Sequence, residues 1–464
     1  MPSIAGFKAQ AAQLVLKANQ SWRGDSLKSK LIRNVGWISV GYGSEIFVRL
    51  ISSIILTRWL DPSAYGLIST VSIFLTVAVM LSDLGIRTIV QADERGDDKN
   101  FLNILWTIQV VRGFILAALL CLAAGGWHLA QVHGWISAAS PYRDPLLPGL
   151  LLLISTSLIM RGFSSINEYR LIRHLERGAV SRMDIWARII TTVLTVAIVF
   201  AWRSVWALAL ATVIGTAVRT VLTLTMLDGP RMELRFNLGE VRKVLHQGRW
   251  IALGSALTVL TMSADKILIG YKFDLATLGI YSIAMTLFLA ATTIINNMNL
   301  GMGVAVLRAI ADKPPAEKVK AFYRFRLPVD VYCSVAGIGM VLLGPLFFQI
   351  AYDPRYLAGG TYLALLGIKV ILTPITFSGN FLLAIQRFKL VSAITAVRTV
   401  TFLASMGAAV WANSMELMVL AVALERLPEI LIYMFMPGTG IPFDWRRDGL
   451  LIAIASALLL YLFI

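Results

Sequence analysis

Apolar residues run along this chain in blocks of about 20, the length at which a helix crosses the hydrocarbon of a bilayer. Short polar segments separate the blocks. The pattern predicts spans near 35–57, 64–82, 101–124, 146–166, 183–202, 204–226, 250–271, 276–298, 328–350, 357–385, 390–411 and 415–436. The runs are continuous rather than alternating, which argues against a membrane β-barrel. A last run, Leu450–Ile464, reads either as a thirteenth span or as a span cut short. Ahead of the first block, Ile4, Phe7, Ala11, Leu14 and Ala18 fall at helical spacing with Lys8 and Lys17 elsewhere. That suits an amphipathic helix on the membrane surface, or a soluble flap. This polar or amphipathic opening of about 34 residues does not have the form of a cleavable signal peptide.

The pattern also repeats, and internal repeats constrain a fold more than any single span. Asp61, Gly66 and Ser69 recur 213 residues later as Asp274, Gly279 and Ser282. The break Asp83-Leu84-Gly85 returns, after a three-residue slip, as Asn299-Leu300-Gly301, and Asn167 and Asn380 keep the offset. The expected fold is therefore all-α and integral to the membrane, with about 12 transmembrane helices (13 if the last run crosses) in two six-helix lobes. Six spans per lobe leave the lobes in the same orientation, related by a pseudo-two-fold axis along the membrane normal. The implied organisation is an interfacial segment 1–34, an N-terminal lobe 35–226, a linker 227–249, a C-terminal lobe 250–437 and a tail 438–464.

Composition agrees: of 464 residues, 57% are hydrophobic and 15% charged, with mean hydropathy +0.74. Soluble domains carry about 25% charged residues. The net charge of +16 reads as basic loops rather than as a nucleic-acid surface. Loops on the N-terminal side hold about 28 Lys and Arg and those on the other about 5, so the N-terminus is expected in the cytoplasm. We call these the near and far sides. Cys121 and Cys333 both fall inside spans, so no disulfide framework is indicated.

Charged groups inside spans are costly and are the first functional candidates. Tyr42, Glu45, Arg49 and Ser52 form one polar stripe, and Ser255, Thr258, Met262 and Asp265 occupy the same register 213 residues on. The stripes predict that spans 1 and 7 face a shared interior, with Lys266 beside Asp265. Arg161 stands with Ser157, Ser164 and Glu168 on span 4, and Lys369 with Thr373, Thr376 and Asn380 on span 10. Snorkelling and local pairing are the competing explanations for such charges. They are preferred for Arg188 and Arg219 near span ends, whereas Arg112 and Arg398 sit deeper and rank second. Glu425, Arg426 and Glu429 around Pro428 read equally as a braced kink or a coupling site. Asp83, Gly85, Asn296, Asn299 and Gly301 mark interruptions in matching places of the two halves, expected as hinges or cavity wall.

No Walker A motif, GxGxxG turn or HExxH is present, and the four histidines form no metal-ligand cluster. No catalytic residue, metal or cofactor is therefore assigned.

The run LTRWLDPSAYGLISTVSIFLTVAVMLSDLGIRTIVQ, within Val35–Asn103, resembles the opening signature of the Wzx-type bacterial polysaccharide flippases. These belong to the multidrug/oligosaccharidyl-lipid/polysaccharide (MOP) exporter superfamily. The resemblance implies two six-helix bundles around a cavity lined by spans 1, 2, 7 and 8, alternately open to either side. It implies an undecaprenyl-pyrophosphate-linked oligosaccharide as substrate, the repeat unit of O-antigen, exopolysaccharide or capsule. A polysaccharide polymerase or co-polymerase of the same pathway would be a partner, and membrane lipid the surroundings. Pyrophosphate in a cavity calls for cations, and Arg49, Arg161, Lys266 and Lys369 are the candidates. Asp265 and Glu45 are candidates for ion coupling. The tail after Pro437 offers at most one further span, where lipid II flippases carry two. A MATE-like drug antiporter and a membrane polysaccharide polymerase or ligase remain the alternatives. The first would favour acidic residues and aromatics in the cavity, and the second a large far-side loop.

Overall fold

The computed structural model describes residues 41, 43–44, 46–135, 141–174, 176–298, 304–311, 314–435 and 444–463. The segment 1–34 expected on the membrane surface lies outside these residues. All regular structure among them is helical. The apolar helix α1 (Ile46–Thr57) is followed by α2 (Pro62–Leu81) and α3 (Ile86–Ala92). Then come α4 (Lys99–Val132), α5 (Leu146–Gly162), α6 (Asn167–Arg173), α7 (Arg177–Ala201) and α8 (Val205–Thr225). The second half comprises α9 (Leu238–Lys272), α10 (Leu275–Met298), α11 (Val304–Ala311), α12 (Pro315–Ala351), α13 (Ala358–Leu372) and α14 (Phe377–Ala384). It ends with α15 (Phe388–Trp411), α16 (Met415–Ala423), α17 (Leu427–Phe435) and α18 (Arg447–Phe463).

Among the described residues, eight helices are long and apolar enough to cross a membrane; the pair α5–α6, bent by 53°, makes nine if counted as one span. The chain is a multi-pass membrane protein. Its surface confirms this: Phe114, Leu122, Val193 and Val335 are exposed, while Asn103, Arg326 and Asp448 are buried. That inversion is stable only where the surroundings are hydrocarbon and interior polar groups find partners.

Local sequence sets the helix ends. Pro62 opens α2 after the Asp61 turn, where its missing N–H costs nothing. Asp98, Ser204, Asn237 and Ser414 accept first-turn N–H groups as side-chain caps. The Asn237 cap starts α9 at Leu238, so the basic segment expected as linker, 227–249, is helical over its second half. In α12, Pro328 and Pro345 are carried inside a continuous 37-residue helix. The last apolar run forms α18, with Leu451 and Ala455 packed against Val341, Ile368 and Ile371.

Each half has its own core. Leu67, Val71, Leu116, Leu147, Leu150 and Val205 meet in the first, and Tyr281, Phe322, Phe348, Phe381 and Met418 in the second. Helices α4 and α5 cross at Gly113 and Gly162, where a Cβ on Gly113 would lie 2.8 Å from the Leu158 carbonyl oxygen. Small residues at such crossings let backbones approach. On the near side the chain from Asp228 to Arg235 is tacked onto the first half. Asn103 Oδ1 accepts from Glu233 N at 3.1 Å, Thr107 Oγ1 from Arg235 N at 2.8 Å, and Asn167 Nδ2 donates to the Pro230 carbonyl at 3.2 Å. Asn103 is fully buried, so Asn103→Ala leaves the Glu233 N–H without its acceptor. We expect a loss of about 1–3 kcal/mol, read as a lowered melting temperature in detergent, with Lys99→Ala on the exposed Lys99–Glu233 pair nearly neutral.

Candidate functional site

Two polar constellations lie within the helical bundle, one in each half. The first is built around the interruption of span 2. Helix α2 ends at Leu81, and Gly85, at φ +65°, starts α3 in a left-handed conformation that glycine adopts without strain. Asp83 Oδ1 accepts from Gly85 N at 3.0 Å and holds the turn. Arg112 of α4 donates to Ser82 Oγ at 3.1 Å and to the Val79 carbonyl at 2.8 Å, so a cation caps the negative end of α2.

Two further arginines join it. Arg219 of α8 pairs with Glu168 at 3.0 Å and with Asp184 at 3.1 Å. Arg161, in the last turn of α5, is exposed, and its side chain makes no hydrogen bond or ion pair among the described residues. It lies in the electrostatic range of Arg219, Arg112, Glu168 and Tyr169. Arg87 is also in the electrostatic range of Tyr169. The result is a cation-rich patch at the near-side end of the first half, where two carboxylates neutralise Arg219 and none is bonded to Arg161.

The second constellation sits where spans 10 and 12 both break. Span 10 passes from α13 through a 3-10 turn, Thr373–Thr376, into α14. Span 12 is interrupted at 424–426 between α16 and α17. Lys369 Nζ bonds Glu425 Oε2 at 2.6 Å, and Arg398 reaches Glu425 at 3.6 Å and Glu429 at 3.4 Å. Arg426 donates to Thr376 Oγ1 at 2.6 Å, joining the two breaks, and Tyr433 donates to Glu429 at 2.7 Å. Asp265 of α9 is buried; it accepts from Tyr281 at 2.5 Å, and its Oδ1 has no hydrogen-bond partner among the described residues. Interrupted helices expose backbone ends inside a bundle and are common at transporter sites.

The four cations expected at one place are thus distributed. Arg161 is in the first constellation and Lys369 in the second, where it is paired with Glu425 and lies 5.6 Å from the Phe288 ring. Arg49, on α1, and Lys266, near the far end of α9, are half-buried. Asp265 does join Lys369, through electrostatic range. Asp83 and Gly85, expected as hinge or cavity wall, lie in the turn between α2 and α3. Tyr42, Glu45, Asn299 and Gly301, with the side chains of Ser255, Thr258 and Asn296, lie outside the described residues. Sequence reasoning ranked Arg112 second and explained Arg219 by snorkelling. Its visible signal was the pair of carboxylates, Glu168 and Asp184, at comparable depth on neighbouring spans. Among the described residues no group of three or more His, Cys, Asp or Glu is placed to hold a metal ion.

The sequence profile of a polysaccharide biosynthesis protein family matches residues 55–325, more than half of the chain. No curated protein sequence matches significantly. Among solved structures, the lipid II flippase MurJ in an inward closed conformation superposes with a TM-score of 0.67 at 12% identity, over 92% of this chain and 91% of that one. A multidrug resistance MATE transporter of the MOP superfamily gives 0.62 in its inward-facing conformation, at 13% identity over 88% and 95%. An outward-facing MATE structure gives 0.53, at 15% identity over 95% and 98%. At these identities the likeness is one of fold: two lobes of the MOP type.

Proposed function

This chain belongs to the polysaccharide biosynthesis protein family of MOP-type transporters, and from that premise we propose that it is a flippase for lipid-linked oligosaccharide. In this reading it carries undecaprenyl-pyrophosphate-linked repeat units from the cytoplasmic to the far leaflet of a bacterial inner membrane. The N-terminus is cytoplasmic, and a polymerase or co-polymerase of the pathway takes the product.

The observation that carries the reading is Arg161, an exposed guanidinium beside Arg112 and Arg219. A cation held among other cations inside a membrane protein is unfavourable unless an anion visits it. Guanidinium presents a planar fork of donors that matches phosphate oxygens. The patch is at the near-side end of the first half, where a pyrophosphate carried on a lipid in the cytoplasmic leaflet would first enter. Arg112 and Arg161 would grip the phosphates, and the Asp83–Gly85 turn would give the backbone room to adjust. Asp265, with one carboxylate oxygen unpartnered among the described residues, is the group best suited to take up a coupling proton or sodium ion. A drug antiporter for cationic compounds would be repelled by the same patch.

The Arg161 side chain makes no hydrogen bond or ion pair among the described residues, so Arg161→Ala should fold normally. We expect it to lower surface polysaccharide at least about tenfold in a strain lacking its own copy, since one charge-assisted hydrogen bond is worth about 1.5–3 kcal/mol. Lipid-linked repeat units should accumulate inside. Unchanged polysaccharide at normal protein levels would remove Arg161 from the transport path.

A further inference from the structure

Helix α4 carries one continuous stripe along its length. Asn103 and Thr107 begin it and are buried; Val111, Ile115, Ala118 and Leu122 continue it at helical spacing and are exposed. Exposed apolar side chains of a spanning helix face hydrocarbon. On the same flank, Asn103 and Thr107 accept from Glu233 N and Arg235 N, so the segment that joins the two halves covers them. That segment therefore lies on the lipid-facing side of the first half and not inside the bundle.

Its depth follows from α4. Val111 is the first exposed apolar residue of that helix. At about 1.5 Å per residue, Thr107 and Asn103 precede it by about 6 and about 12 Å. The head-group layer adds about 5–7 Å on each side of the hydrocarbon. The bond to Thr107 thus sets Arg235 and Phe236 in that layer.

The backbone is extended at Asn237, with φ −139° and ψ 111°. Glu233 N and Arg235 N point at α4, and Leu234, Phe236 and Leu238 alternate with them. These three are 66%, 68% and 69% exposed. Large apolar side chains clustered on a surface mark a contact with something other than water. Leu238 opens α9, and Arg242 and Leu245, on the same helical face, are exposed too. Glu233 takes Lys99 and Arg235, and Glu240 takes Arg95 and Lys243. Arg231 and Arg242 are exposed and have no ion pair among the described residues. An apolar strip with uncommitted arginines, at head-group depth, has the chemistry of an anchor on an anionic leaflet.

We propose that residues 231–245 dock on the near-side leaflet. Leu234, Phe236 and Leu238 sink into the head-group layer, and Arg231 and Arg242 meet the phosphates of anionic phospholipids. The segment connects the two halves, so this contact sets the level of the first half's near-side end in the bilayer. The inference needs only a membrane-spanning chain and does not depend on the substrate.

The test places a nitroxide at Phe236→Cys, and separately at Leu234→Cys, in the full chain reconstituted into nanodiscs. The wild type, with its free Cys121 and Cys333, supplies the background. Glu94→Cys, at an exposed position of a near-side loop, supplies the aqueous reference. The bonds to Asn103 and Thr107 use backbone N–H groups, so the labelled variants keep them. In phosphatidylcholine containing phosphatidylglycerol, collisions with a water-soluble nickel chelate should be several-fold fewer at both sites than at Glu94→Cys. In phosphatidylcholine alone, or at high salt, that protection should weaken. Arg231→Gln/Arg242→Gln should remove its dependence on phosphatidylglycerol. Nickel collisions equal to the Glu94→Cys reference in both lipids would overturn the docking and leave the strip for a protein partner. Protection that ignores phosphatidylglycerol, salt and the two arginines would overturn the recognition of anionic head groups.

Discussion

Glu425→Ala should destabilise the protein by about 3–5 kcal/mol, the cost of leaving buried charges without their partner. Glu425 uses both carboxylate oxygens, one for Lys369 at 2.6 Å and one for Arg398 at 3.6 Å. Its removal leaves Arg398 with Glu429 as its remaining ion-pair partner among the described residues and Lys369 with only the more distant Asp265. The effect is measurable as a fall in thermal midpoint in detergent. Lys369→Met/Glu425→Leu should recover most of the loss, because the two charges leave together and apolar groups replace them. A small effect of Glu425→Ala would mean that water already screens the network. A recovered fold without recovered transport would mark the pair as functional as well as structural.

A comparable loss is expected at the join between α18 and the rest of the second half. Arg326 of α12 is fully buried, bonds Asp330 at 2.8 Å and also pairs with Asp448 of α18. Tyr323 donates to the same Asp448, and its ring lies 4.6 Å from the Arg326 guanidinium. Arg326→Met leaves the buried Asp448, still bonded by Tyr323, and the half-buried Asp330 without their cation, at about 3–5 kcal/mol. Arg326→Met/Asp448→Leu should recover part of it, Asp330 remaining near the edge. The loss should appear both as a lower thermal midpoint and as faster proteolysis at the start of α18, since α18 is held at its first turn by this cluster. Midpoint and cleavage rate both unchanged would show that apolar packing of Leu451 and Ala455 alone keeps α18 docked.

Much of the fold was legible because hydrocarbon imposes a simple rule on sequence. Apolar blocks gave the helices to within a few residues over α2, α8, α10 and α15. The repeat register was more informative still: matching Gly66 with Gly279 and Ser69 with Ser282 identified residues that touch across the pseudo-axis. Helix interruptions were harder. Pro428 adjoins a break in span 12, whereas Pro328 and Pro345 lie in an unbroken α12, so proline alone does not decide. The start of α9 inside the basic linker followed from the Asn237 cap, a one-residue signal that charge counting obscured.

The candidate sites were less legible, for a geometric reason. Spacing within one helix says which residues share a face, but not which faces of different helices meet. Arg112, Arg161 and Arg219 come from α4, α5 and α8, and Lys369 finds Glu425 across two separate spans. A cation that reads as a ligand site on its own helix can be a structural ion pair once its neighbour is known, and Lys369 is such a case.

The most direct test of the central claim is a flipping assay with purified protein in liposomes. A polyprenyl-pyrophosphate-linked oligosaccharide is labelled on the sugar and placed in one leaflet, and its appearance in the other is followed with an impermeant quencher. The account predicts transfer by the wild type, and loss of at least about tenfold in Arg112→Ala/Arg161→Ala with the fold intact, in line with two lost charge-assisted contacts. Transfer at the rate of empty liposomes would contradict the flippase reading, and full transfer by the double variant would contradict the arginine patch as its phosphate site.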